Sequence, residues 1–331
     1  MGSVLLTGAT GFLGSHVVRE ALARGIRPVA MVRGSGKASL QGLDLPEVRG
    51  DLTDTASLLG ATEGIETVIH LAAYYTFFGR AELYEKITVE GTRNLLEACA
   101  RNGVRRLIYC SSTEAIGPVQ NPPGNEESFP NPQYEYGRSK LRAEALVREY
   151  GARGLDYTIL RPSGLYGPGN VDDVAYWFIT SFAKNSLATR FIVGSGRSLV
   201  QFTHVRDAAR AFLLALERPE KASGQTYIIA DRRGYTYGEV YAMLAEICGR
   251  KAPSLHVPPL LAKALIAPVE AINRISGRES FMWHVSTVDS VTSDRCYSPE
   301  KARRDLGFAA QYDLRAGLRE SVEWYRANGY L

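Results

Sequence analysis

Tyr136 and Lys140 stand four residues apart in "YEYGRSK", so on a helix both side chains leave the same face. Such a pair does acid/base chemistry. A phenol titrates near ~10, and an ammonium group beside it favours the phenolate, which makes the tyrosine a usable proton donor and acceptor. The spacing alone is weak evidence, because the chain carries 18 tyrosines and repeats the pattern in "YSPEK", from Tyr297 to Lys301. There Pro299 suits the first turn of a helix, which leaves Tyr297 outside that helix and off the face of Lys301. A second chemistry lies near the start. "LLTGATGFLG" spaces Gly8, Gly11 and Gly14 evenly after an apolar run, with Thr10, Phe12 and Leu13 among them. Glycines at a strand-to-helix turn let the backbone approach a pyrophosphate, and the free N–H groups of the helix N-terminus receive its charge.

Such groups need a scaffold, and the first half of the chain alternates two periods. Strand-like runs occupy 3–7, 28–32, 67–72, 106–112 and 157–162, with helical spacing of apolar residues over 12–24 and 81–101 between them. Repeated strand, helix, strand means a doubly wound α/β fold with a parallel sheet. After Pro162 the rhythm breaks into the Gly/Pro-rich "SGLYGPGNVDD", then the strand signals "LVQFTHV" and "TYIIA", then mostly helix. The expected division is a dinucleotide-binding domain of 1–162 plus about 199–230, and a smaller, discontinuous, mostly helical substrate lobe of about 163–198 plus 231–331.

Composition removes several alternatives. A formal net charge of +4 spread without a basic stripe gives nucleic acid no footprint. Four scattered cysteines without a C-x-x-C pair fit reduced thiols in a cytoplasmic protein better than disulfides or zinc, and no metal site is expected. The first apolar run is short and broken by glycines, unlike a signal peptide. "VPPLLAKALIAPVEAINRI", Val257 to Ile275, carries charges and prolines that exclude a spanning helix. It reads as an amphipathic helix roofing an apolar pocket, with peripheral membrane contact as the second reading.

The second strand ends in "AMVRGSGK". An acid there would hold the ribose hydroxyls of NAD, whereas Arg33, helped by Lys37, suits the 2′-phosphate of NADP, so NADP is the expected cofactor and NAD the alternative. The TGxxGFxG form of the glycine turn resembles the extended short-chain dehydrogenase/reductases of the epimerase/dehydratase superfamily, which implies a Rossmann-type sheet. That resemblance covers nearly the whole chain and implies further roles. Ser112, five residues before Gly117 in "CSSTEAIG", matches the catalytic Ser/Thr that polarises the substrate oxygen while Tyr136 exchanges a proton and Lys140 holds the nicotinamide ribose. Asp51 and Leu52 resemble the adenine contact, and Leu71, Ala72 and Ala73 the segment along the cofactor. Pro162 and Leu165 fall in "RPSGLYGPG", similar to the loop beside the nicotinamide.

Subfamilies differ at the substrate. Epimerases carry an arginine for the substrate diphosphate where this chain has Val200, and dehydratases carry Asp-Glu where it has Thr113-Glu114. The remaining resemblance is to the 3β-hydroxysteroid dehydrogenase and dihydroflavonol-reductase-like group. It implies oxidation or reduction of a secondary alcohol or ketone on a hydrophobic substrate, with pocket aromatics at Tyr74, Tyr75, Phe77, Phe78, Tyr176, Trp177, Phe178, Phe281 and Trp283. A nucleotide-sugar 4-epimerase or dehydratase with transient oxidation is the runner-up. A non-catalytic NADP-sensing regulator is the alternative of another class, opposed by the retained Tyr/Lys pair. The resemblance also implies a homodimer.

Overall fold

The computed structural model describes residues 2–34, 38–76, 79–275 and 283–331. Its centre is a seven-stranded sheet built from β1 (Val4–Thr7), β2 (Val29–Val32), β3 (Glu47–Arg49), β4 (Thr67–His70), β5 (Arg106–Cys110), β6 (Asp156–Pro162) and β11 (Gln225–Ile229). The strand order is β11-β6-β5-β4-β1-β2-β3 and every pairing is parallel. β1, β4 and β5 are buried along their whole length, because helices cover both faces. Alternate residues serve the two sides. Leu6, Ile69, Ile108 and Leu160 pack with the helices Phe12–Ala23 and Val205–Glu217, while Leu5, Val68, Leu107 and Ile159 pack with Thr55–Thr62, Glu90–Arg101 and Glu135–Ala152. The order reverses between β1 and β4. At such a switch point the crevice beyond the strands' carboxyl ends is open for a ligand.

The remaining strands, β7 (Gly164–Tyr166), β8 (Phe191–Val193), β9 (Leu199–Val200), β10 (Phe202–His204), β12 (Tyr235–Thr236) and β13 (Leu255–Val257), form three two-stranded pairs outside the main sheet. The segment 199–204 does not join the central sheet: β10 pairs with β7 and β9 with β12. An apolar run announces a strand but not its partner. Here buried Gln201 decides, its amide donating to the Asp231 carbonyl and accepting from the Tyr297 backbone, which ties the segment to the C-terminal elements. Those elements share a core of their own, formed by the helices Val174–Ala183, Tyr237–Cys248 and Leu314–Ala327. Among the described residues no helix is long and apolar enough to cross a membrane, and no group of His, Cys, Asp or Glu could hold a metal.

Candidate active site

A single cavity of about 880 Å³ runs from the switch point into the C-terminal elements. Gly8, Thr10, Gly11, Phe12, Leu13, Arg33, Asp51, Leu52, Leu71, Ala72 and Ala73 line one end. Ser112, Tyr136, Lys140, Pro162 and Leu165 line it further on, so every site residue read from the sequence that the structure describes faces one space. Lys37 lies outside the described residues.

At the glycine end the Phe12–Ala23 helix starts after Gly11 with no side chain capping it, which leaves its first N–H groups open to an anion. A Cβ on Gly14 would stand 2.0 Å from the Gly8 carbonyl oxygen, so the turn closes onto the helix only with glycine there. The Asp51 carboxylate accepts from the Thr53 N–H at 2.8 Å and the Thr53 hydroxyl at 2.7 Å. Those bonds, more than the charge of Arg33, hold it below the usual carboxylate range.

Tyr136 sits in the first turn of the Glu135–Ala152 helix, with Lys140 one turn on. That turn presses on the serine loop: a Cβ on Gly137 would lie 2.2 Å from the Glu114 carbonyl oxygen. The Ser112 hydroxyl accepts from the Glu114 N–H at 3.1 Å and its proton is directed to the Tyr136 side of the cavity. Neighbouring Ser111 is turned away, donating to Glu144 at 2.5 Å. Lys140 Nζ donates to the Cys110 carbonyl at 2.7 Å and lies 5.9 Å from the Tyr136 ring centre. Burial is the first cause acting on both groups: it pushes the Tyr136 phenol well above its ordinary value and Lys140 below its own. A hydrogen bond with Ser112 pulls the phenol the other way. Desolvation thus sets the direction of the shift for both members of the pair. The Tyr297/Lys301 pair is no second site. The Tyr297 hydroxyl donates to the Gly117 carbonyl at 2.7 Å, and Lys301 lies 5.1 Å from the Tyr227 ring centre.

The far end is walled by apolar side chains, among them Val174, Phe178, Phe191, Ile192, Val200, Tyr241, Val257, Ile266, Trp283 and Val288. Of the expected aromatics, Tyr74, Tyr75, Phe178 and Trp283 line the cavity. Tyr176 instead packs on Tyr325 and Tyr330, Trp177 is exposed, and Phe77, Phe78 and Phe281 lie outside the described residues. Arg295 is the one cation at this end among the described residues. It sits in a parallel bridge with Val200, and its Nη1 donates to both Glu114 oxygens at 3.1 Å. The guanidinium absent at position 200 thus returns from a neighbouring segment, already matched to a carboxylate.

Residues 4–230 match the NAD dependent epimerase/dehydratase family. The chain belongs to that family. This epimerase/dehydratase-family oxidoreductase is 31% identical to the sterol demethylase protein B of Methylococcus capsulatus over 99% of the chain and 100% of that relative. Among solved structures, gox2253 superposes with a TM-score of 0.84 at 29% identity, with all of both chains covered. MoeE5, solved in complex with UDP-glucuronic acid and NAD, superposes at 0.76 with 30% identity, covering 99% of this chain and 100% of its own.

The family member carries a support network invisible to spacing rules. Glu144 is fully buried and takes Arg161 in a two-pronged pair, Nε to Oε1 at 2.8 Å and Nη2 to Oε2 at 2.7 Å, together with Ser111 and Arg148. A charge on the inward face of the Tyr136–Lys140 helix, four residues past Lys140, and a second inside the apolar strand "YTILRP" were the signals for it. Tyr75 packs edge-on to Tyr136, ring centres 5.0 Å apart, and its hydroxyl donates to Asp173.

Buried His70 and half-buried Asp173 titrate in opposite senses. Burial first, and the charge of Lys140 second, lower His70 from 6.5 to about 3. Its stabilising contribution is present above about pH 6.5 and is lost as the pH falls towards 3, at about 1.4 kcal/mol per unit. Asp173 is raised by burial from 3.8 to about 6, so its contribution is present below 3.8 and lost as the pH rises through 6. The two slopes oppose each other between these limits. Asp173→Asn is expected to make stability fall more steeply from about pH 6 to pH 4, by about 1 kcal/mol per unit. Denaturant melts at three pH values measure it, and parallel slopes for variant and wild type would refute it.

Proposed function

We propose that this enzyme interconverts a secondary alcohol and a ketone on a hydrophobic, steroid-like or flavonoid-like substrate, preferring NADP, with Ser112, Tyr136 and Lys140 as its catalytic residues. The observation that carries the reading is the far wall of the cavity. It is apolar and aromatic, its one described cation is matched by Glu114, and Asp172 and Asp173 add negative charge. A sugar-nucleotide diphosphate would have to compete with the Glu114 carboxylate for that one guanidinium, whose Nη1 is engaged and whose Nε and Nη2 have no hydrogen-bond partner among the described residues. The relative named for sterol demethylation points the same way. The likeness to MoeE5, solved with a UDP-sugar, makes the nucleotide-sugar epimerase the reading to exclude.

The residues present fit a dinucleotide. The uncapped helix at Gly11 and the glycine cradle suit its pyrophosphate, Asp51 and Leu52 its adenosine end, and Leu71 to Ala73 with Pro162 and Leu165 its course to the reacting centre. The bound nicotinamide supplies or accepts hydride. This chain's residues do the rest. The Ser112 hydroxyl donates to the substrate oxygen and orients it. Tyr136 as the neutral phenol gives that oxygen its proton in reduction, and as the phenolate it takes the alcohol's proton in oxidation. Lys140, anchored on the Cys110 carbonyl, stabilises the phenolate left behind, and the apolar walls exclude water. We take the family resemblance to extend to a cytoplasmic homodimer.

Arg33 tests the cofactor. Arg33→Ala is expected to raise the KM for NADPH by about 10–100-fold, the worth of a charge-assisted contact to phosphate, while moving that for NADH by less than about threefold. Equal effects on both would remove the NADP preference. Turnover of sterol or flavanonol alcohols supports the substrate reading. Conversion of a UDP-sugar alone, with no net change in cofactor, would replace it by the epimerase.

A further inference from the structure

The Pro259–Ile275 helix is built in reverse for a helix facing water. Two of its polar side chains, Lys263 and Glu270, are engaged by the segment that holds His284 and the Val285–Val291 helix. Lys263 pairs with Asp289 at 2.6 Å, and Glu270 accepts from the Val285 N–H at 2.8 Å and meets His284 Nε2 at 3.1 Å. Its outward positions are apolar: Leu260 is 83% exposed, Leu261 51%, Leu265 62%, Ile272 65% and Ile275 88%, and the exposed residues between them are alanine or proline. The helix alone holds five of the ten exposed large hydrophobic side chains among the described residues, and Leu255 stands four residues before it. Scattered apolar residues are ordinary on a protein surface, but a contiguous face of them marks contact with something.

Charge says with what. The segments 184–200 and 249–275 carry Lys184, Arg190, Arg197, Arg250, Lys251, Lys263 and Arg274 against a single acid, Glu270, and of these Lys263 is paired with Asp289. Two copies meeting through this face would set one basic rim against another, which is repulsive, whereas an anionic surface would be attracted. The face also continues into the cavity, because Ala262, Leu265 and Ile266 of the same helix line it.

We propose that this helix lies flat on an anionic lipid surface, with Leu260, Leu261, Ile272 and Ile275 in the headgroup–acyl boundary and the basic rim on the headgroups. The helix-lined wall of the cavity then rests against lipid. At 17 residues the helix is about 25 Å long, enough for interfacial binding without spanning. The inference stands on surface and charge, and holds whichever substrate the cavity takes.

Full-length protein is sedimented with vesicles of phosphatidylcholine alone, or mixed with phosphatidylglycerol. Binding is expected to be at least about tenfold stronger on the mixed vesicles and to fall at high salt. Leu260→Glu/Ile272→Glu is expected to lose at least about tenfold of it. Each of Lys184→Gln and Lys251→Gln is expected to lower it about fivefold. All substituted side chains are exposed, so unchanged circular dichroism and melting are expected and checked. Protein that stays in the supernatant, or binds equally after the double substitution, overturns the proposal. So does a wild-type dimer that the double substitution dissociates, which would assign the face to a second copy.

Discussion

Tyr136→Phe is expected to lower kcat by about 10²–10⁴-fold while the affinity for NADPH changes by less than about threefold, because the substitution deletes one hydroxyl and leaves the ring. The ring is what packs: its centre lies 5.0 Å from that of Tyr75 and 5.9 Å from Lys140 Nζ, and both contacts survive in phenylalanine. Rates with a hydrophobic ketone, alongside fluorescence titration of NADPH, separate chemistry from binding. Tyr297→Phe is the control, since that hydroxyl serves a backbone carbonyl. A Tyr136→Phe enzyme within about tenfold of wild type would remove the tyrosine from the chemistry.

Glu144→Gln is expected to cost about 3–5 kcal/mol of stability, the penalty for leaving a buried arginine without its counter-charge. Arg161 has only 5% of its side chain exposed and Glu144 none, so water cannot take over. The carboxylate also accepts from Ser111, the residue before Ser112, on the helix that carries Tyr136 and Lys140. It is a positioning residue, one that aligns the serine loop with the helix. A falling kcat with little change in KM is therefore expected beside the lost stability. Replacing both charges, Glu144→Leu with Arg161→Met, is expected to restore much of the stability but not the rate, because Ser111 still lacks its acceptor. Full recovery of both would make the pair merely structural. The Glu144 carboxyl is held below its ordinary value with burial opposed chiefly by Arg161, so its stabilising contribution is present at neutral pH and lost as the medium is acidified below about pH 4.

The N-terminal half of the site was legible because its parts are close in sequence. A strand, three glycines and a helix form one contiguous turn, and the Tyr136–Lys140 face follows from the helical repeat. Where reading by pattern failed, the missing information was the identity of a partner. "LVQFTHV" announced strands correctly but could not say that β9 and β10 would pair outside the main sheet. The phenol beside a lysine is legible from spacing, but the burial of both, which raises the phenol and lowers the ammonium, is set by the whole fold.

By itself, then, the sequence determined the parallel α/β sheet, the glycine turn between its first strand and helix and the one-helix spacing of the tyrosine and lysine, since backbone periodicity and glycine sterics act within a few residues. Only the tertiary structure decided which charges are matched and which surfaces are covered. Glu114 meets Arg295 across 181 residues and so neutralises the one described cation of the substrate end. The helix that spacing marked as amphipathic pairs Lys263 with Asp289 and Glu270 with His284 and leaves its leucines exposed. Desolvation and ion pairing depend on what stands within a few ångströms in space, and chain distance carries no record of that.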